Sequence, residues 1–170
     1  MGILTGITRS NHPFKYPVET IEDLRILKKI WENTKYVLRT KGCEETYERI
    51  DKLIGDSGLY IPTVEPSALQ TLLEEDIGME NFYYMFTDYP DEVTELVELI
   101  HDRRRQQYHI IAEQMPYIGC ISVESTSTSY ICPDIYRQFS QRHMADFVAI
   151  MHEHGKKGIL HMCGLVNNLL

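Results

Sequence analysis

The chain has 170 residues, of which 43% are hydrophobic and 25% charged, and its formal net charge is −8. That composition fits one ordinary globular domain or part of a larger one. The acidic balance argues against a nucleic-acid partner, which needs a basic surface, and no apolar run is long enough to cross a bilayer. The start, MGILTGITRS, has a few apolar residues but no long apolar run after a basic beginning, so no signal peptide is expected. Four cysteines, Cys43, Cys120, Cys132 and Cys163, show no close paired spacing, so reduced thiols in a cytoplasmic setting are expected.

Residues 1–16 read as irregular, with His12-Pro13 and Tyr16-Pro17 favouring extended backbone. Thr20 is a candidate cap with Asp23 in the first turn. Ile21, Leu24, Leu27, Ile30 and Trp31 follow at helical spacing, so a helix is predicted to about Thr40, stopped by Gly42. A second helix is predicted from Glu44 to Ile54, ended by Gly55 and the turn Gly55-Asp56-Ser57-Gly58. Leu59-Tyr60-Ile61 reads as a short strand broken by Pro62 and Pro66. Ser67 caps a helix carrying Leu69, Leu72 and Leu73, and Gly78 ends it.

Asp88-Tyr89-Pro90 is a strong helix start, with the proline in the first turn. Val93, Leu96, Val97, Ile100, Tyr108, Ile111 and Met115 share one face of the long helix that follows. Its middle, Asp102 to Gln107, is polar, and Arg103, Arg104 and Arg105 read as a solvated face. After Pro116, residues 117–123 read as a buried strand, followed by a Ser/Thr/Tyr-rich loop to Cys132. Pro133 opens another helix with Tyr136, Phe139, Phe147, Ile150 and Met151 as core positions, ended by Gly155. Lys157 to Met162 is the next strand, and something helical is expected from Leu165. Two short strands joined by a helical crossover imply parallel neighbours and an α/β fold. A complete (β/α)8 barrel takes ~250 residues. About three strands are legible here, so the chain on its own cannot close such a barrel.

Parallel neighbours place their carboxyl ends on one side, where α/β enzymes put their sites. One strand ends at Glu124 and the other at His161-Met162-Cys163. Alternation puts Ile159, His161 and Cys163 on one face, and Cys120, Ser122 and Glu124 on one face of the other strand. Adjacent strands lie ~4.8 Å apart, so matching parities would bring Glu124, His161 and Cys163 within reach of one ion. Imidazole plus thiolate is a zinc-type donor set. The plainer readings stay open. A buried Cys is a common core residue, a strand-end His often bonds backbone, and Glu124 serves as a cap or loop carboxylate. The loop from Ser125 to Tyr130 either hydrogen-bonds a ligand or is a soluble turn. His152 and His154 suit the end of a helix without any further role.

Several segments taken together resemble the uroporphyrinogen decarboxylase superfamily. They are YPVETIEDL, IGDSG before a proline-broken strand, DIGMENF, TDYPDEV, ICPDIYRQF and HEHGKKGILHMCG. His161-Met162-Cys163-Gly164 is similar to the corrinoid-linked zinc methyltransferase branch, of the methylcobalamin:coenzyme M methyltransferase kind. The resemblance implies a barrel domain over residues 17–170, an internal fragment of the (β/α)8 barrel. It implies zinc held by His161 and Cys163, with a third cysteine beyond Leu170. It also implies a methylated corrinoid carried on a partner protein and a small thiol acceptor. Glu124 is then the candidate catalytic carboxylate, and Ser125, Ser127 and Tyr130 are candidates to line the acceptor pocket. The other readings are a metal-free decarboxylase-like lyase and a catalytically inactive fragment. A partial barrel leaves sheet edges uncovered, so self-association or a complementing barrel fragment is expected.

Overall fold

A computed structural model describes residues 2–10, 12–38, 42–115, 118–124, 127–167 and 169, with the backbone alone at 43. Within the N-terminal segment expected to be irregular, β1 (Ile7–Arg9) and β2 (His12–Lys15) pair as an antiparallel hairpin. Nearly all of its side chains are exposed. With no buried face there is no apolar alternation in the sequence to announce it.

Helix α1 (Ile21–Glu32) begins with a capping box. Thr20 Oγ1 accepts from the Asp23 N–H, and the Asp23 carboxylate accepts from the Thr20 N–H. The helix stops at Asn33, well short of Thr40. Arg103, from the long helix α5 (Pro90–Gln114), donates to the carbonyls of Trp31 and Glu32 at 3.1 and 3.0 Å. A distant cation thus satisfies carbonyls that a longer helix would have used. Helix α2 (Cys43–Ile54) follows, and Gly42 (φ 91°) precedes it as its N-cap. The strand expected at 59–61 is replaced by one parallel bridge slightly later, between Thr63 and Ile121.

Ser67 caps α3 (Ala68–Thr71), which continues as a π-helical turn, Leu72–Asp76. Helix α4 (Met79–Asp88) was not anticipated. It is built on buried Phe82 and Met85, and Phe82 stacks on Phe86 at 5.9 Å between centroids. Pro90 opens α5, and Val93, Leu96, Val97, Ile100 and Tyr108 are buried along it as their spacing predicts. The solvated reading of its arginines fails at Arg104, which is buried. Its guanidinium pairs with Glu65, donates to the Tyr36 hydroxyl and to Thr71 Oγ1, and lies over the Trp31 ring at 5.3 Å.

Strand β3 (Gly119–Glu124) leads through α6 (Pro133–Ile135), a π-helical turn (Tyr136–Ser140) and α7 (Gln141–Glu153) to β4 (Lys157–Met162). The two strands are parallel neighbours, as the helical crossover requires. With the Thr63 bridge on the other edge of β3, the architecture is mixed α/β. No helix forms over residues 165–167; the Leu169 N–H instead closes a turn onto the Val166 carbonyl. One core lies among α1, α3, α4, α5 and the segment around Phe139. A second, of Tyr108, Ala112, Cys120, Phe147, Ile150 and Met151, joins α5 and α7 to β3. Among the described residues, no helix is long and apolar enough to cross a membrane.

Candidate functional site

The sheet has two unlike faces. Cys120 is fully buried against Tyr108, Phe147 and Met151, so α5 and α7 cover its side of β3. On β4 the partner of Cys120 is Gly158, where a Cβ would stand 3.0 Å from the Val148 Cα. A Cβ there would crowd α7, so glycine eases the close approach of the helix. The opposite face carries Ile121, Val123, Ile159 and His161. The two isoleucines are half-buried, Val123 is 36% exposed and His161 is exposed. No helix packs there among the described residues.

Strand register decides which candidate residues meet. Glu124 pairs with Met162, and His161 pairs with Val123. Cross-strand partners point to the same side, so Glu124 lies on the covered face and His161 on the bare one. The parities do not match, and the expected convergence of Glu124 with His161 and Cys163 does not occur in this strand pair. Cys163 extends the ladder one residue past β4, its N–H donating to the Glu124 carbonyl at 2.8 Å. Alternation therefore carries to Cys163, and His161 and Cys163 share the bare face at the carboxyl end of the sheet. His161 is exposed and the Cys163 thiol is free and half-buried. No third His, Cys, Asp or Glu groups with them among the described residues.

Glu124 is 0% exposed, and both of its carboxylate oxygens accept hydrogen bonds. It accepts from the Ser67 N–H at 2.8 Å, from Ser67 Oγ at 2.7 Å and from Ser122 Oγ at 3.2 Å. It thus receives the first N–H of the segment that becomes α3. Burial raises the Glu124 pKa above the ordinary carboxylate value, against the lowering effect of the three donors. The signal for this role in the sequence was weak: Ser67 was legible as a cap, but its partner lies 57 residues away.

The loop after β3 reaches across to the loop after β4. Ser127 is buried, its Oγ accepts from the Ser129 and Leu165 N–H groups, and Thr128 donates to the Leu165 carbonyl. Gly164, at φ 91°, passes so close that a Cβ would stand 2.6 Å from the Ser127 Cβ. The Ser127 side chain therefore fastens the chain just beyond Cys163. Tyr130 is exposed, and its carbonyl accepts from the Tyr83 hydroxyl at 2.6 Å. Ser125 lies outside the described residues.

The fold is similar to that of a methyltransferase from Methanosarcina mazei, with a TM-score of 0.57 and 11% sequence identity. The match covers 98% of this chain and 48% of that chain, so the present chain spans about half the length of that enzyme. At this identity the likeness is one of fold. No family model and no curated protein matches the sequence. Fold and site together define a mixed α/β chain with a methyltransferase-like fold, in which a histidine and a cysteine share the bare carboxyl end of a parallel sheet.

Proposed function

We propose that this chain supplies part of the site of a zinc-dependent methyltransferase of the uroporphyrinogen decarboxylase superfamily, built on a (β/α)8 barrel. Methyl would pass from a methylated corrinoid protein to a thiol acceptor. The observation that carries the reading is the register, which sets His161 and Cys163 together on the uncovered face at the strand ends. In a barrel that face lies inside, and the carboxyl ends form the active-site mouth. The methyltransferase-like fold supports the same reading.

The two side chains suit zinc by type: a neutral imidazole and a thiolate, two residues apart, both reachable from the bare side. When bound, zinc supplies Lewis acidity that keeps an acceptor sulfur as the thiolate near neutral pH. His161 and Cys163 would act as ligands, and neither is asked to move a proton. Glu124 becomes a positioning residue, since its carbonyl holds the Cys163 N–H while its carboxylate anchors α3. Ser127 fixes the Gly164 turn behind Cys163. Ser125 and Tyr130 remain the proposed acceptor-side groups, and Tyr130 is exposed. The free edge of β4, which pairs only with β3 among the described residues, is the place for a further strand. That strand would come from a second copy or a complementing barrel fragment.

Cobalt(II) substitution tests the metal assignment. The full chain should show a thiolate-to-cobalt charge-transfer band that vanishes in Cys163→Ala and weakens in His161→Ala. No such band, or one untouched by Cys163→Ala, would overturn the zinc reading and leave the lyase and inactive-fragment readings standing.

A further inference from the structure

At the other end of the same sheet, three metal-type ligands come together. His109 and Glu113 sit four residues apart on the last two turns of α5, a spacing that puts them on one helix face. His154 is the C-cap of α7. Ligand atoms of all three lie within 4.8 Å of one another. The His154 Nε2 is 4.0 Å from Glu113 Oε1, and the His109 and His154 rings meet edge-to-face at 5.9 Å between centroids.

The position of His154 is fixed by its backbone. The Lys156 N–H donates to the Met151 carbonyl at 2.8 Å and the Gly155 N–H to the His152 carbonyl at 2.9 Å. With Gly155 at φ 69°, this is a Schellman ending. The Lys156 ammonium then donates to the carbonyl of Met115, the C-cap of α5. The ends of α5 and α7 are thus tied together, and His154 is held facing the last turns of α5. Only side-chain rotations remain to bring the three donors in.

We propose that His109, Glu113 and His154 form a binding site for a divalent cation of the zinc class. Two imidazoles and one carboxylate make a known three-ligand zinc donor set that leaves a position for water. Tetrahedral bonds of about 2.0–2.2 Å require donor atoms roughly 3.3 Å apart. The groups must close by at most about 1.5 Å, a movement within reach of side chains on a surface. The side chains of His154 and Glu113 are 27% and 52% exposed, so an ion arrives directly from solvent. The site is not the one proposed above. His154 precedes β4 and Cys163 follows it, and six strand residues at ~3.3 Å each separate the two ends by ~20 Å. Bound there, the ion clamps α5 to the turn that feeds β4.

The test uses the full chain carrying His161→Ala and Cys163→Ser, titrated calorimetrically with zinc chloride alone near neutral pH. This background should bind one zinc per chain. At a hundredfold excess over Kd, its thermal midpoint should rise by about 5–10 °C. Adding His154→Ala or His109→Ala should weaken binding at least about a hundredfold and abolish the shift, with the circular-dichroism spectrum unchanged. Loss of all zinc binding in the starting background would overturn this proposal and leave the strand-end site intact. Undiminished binding after His154→Ala would overturn it as well.

Discussion

The two faces of the β3–β4 sheet are finished differently. On the covered face Glu124 has three donors, Cys120 is packed in a core, and Gly158 admits a helix. On the bare face His161 is exposed and the Cys163 thiol is free. A buried carboxylate with donors on both oxygens acts as a structural group, whereas the two ligand-type side chains at the end of β4 have no hydrogen-bonded side-chain partner among the described residues. Glu124 and His161 lie near the ends of neighbouring strands one residue apart in register, and that single step sets a buried, hydrogen-bonded carboxylate apart from an exposed imidazole.

If the contrast holds, substitutions on the covered side should cost stability and those on the bare side should not. The largest effect is expected at Phe147, which packs edge-to-face on Tyr108 at 5.0 Å beneath β3. Phe147→Ala should lower the unfolding free energy by about 3–5 kcal/mol in urea titrations. Glu124→Ala comes next. Leaving the Ser67 N–H and the two serine hydroxyls without an acceptor should cost about 2–3 kcal/mol. Glu124→Gln keeps an acceptor and suits a group whose protonated form burial already favours, so its loss should be about 1 kcal/mol. Equal losses for the two variants would show that the carboxylate does not act through its hydrogen bonds.

The layer of helices over the covered face also makes stability depend on pH. His143 on α7 stacks on His101 of α5 at 3.7 Å between centroids. Burial pushes the His143 pKa down to about 3, with the neighbouring His101 and Arg142 acting in the same direction. His101 is also lowered by burial, with Asp146 opposing. Glu98 and Arg105 are the other charges facing the pair. The unfolded imidazole titrates near 6.5, so between about 6.5 and 3 the unfolded chain binds the proton that the folded His143 refuses. Stability is therefore full above about 6.5 and falls as pH drops below it, by about 1.4 kcal/mol per unit for one proton. His143→Gln should flatten the slope between about pH 6 and pH 5, leaving only the part due to His101. An unchanged acid limb would place the sensitivity elsewhere. The smallest effect is expected on the bare face, where His161→Ala should change stability by less than about 0.5 kcal/mol.

Much of the fold was legible in the sequence where local chemistry decides it. Thr20 and Asp23, Pro90, Gly55 and Gly155 marked helix ends that the structure keeps, and Lys157–Met162 has the predicted limits. What escaped depends on distant partners. Alternation along β3 and β4 was correct for each strand, but the register between them, which sets Glu124 and His161 apart, is written in neither. Arg104 sits in a run of charges that reads as solvated. Only Tyr36, Thr71 and Glu65, brought by other segments, make its burial tolerable. The His109 and Glu113 spacing was visible in HIIAE, but His154 joins them only through the packing of α5 against α7.

The most direct measurement is the alkylation of individual cysteines by iodoacetamide, followed by mass spectrometry with and without excess zinc. Cys163 should react without zinc and be protected by it. Exposed Cys132 should react at the same rate in both conditions. Cys120, buried and with its thiol pKa raised to about 11, should stay inert throughout. Cys163 alkylating equally fast with and without zinc, in the chain that retains His161, would contradict the account.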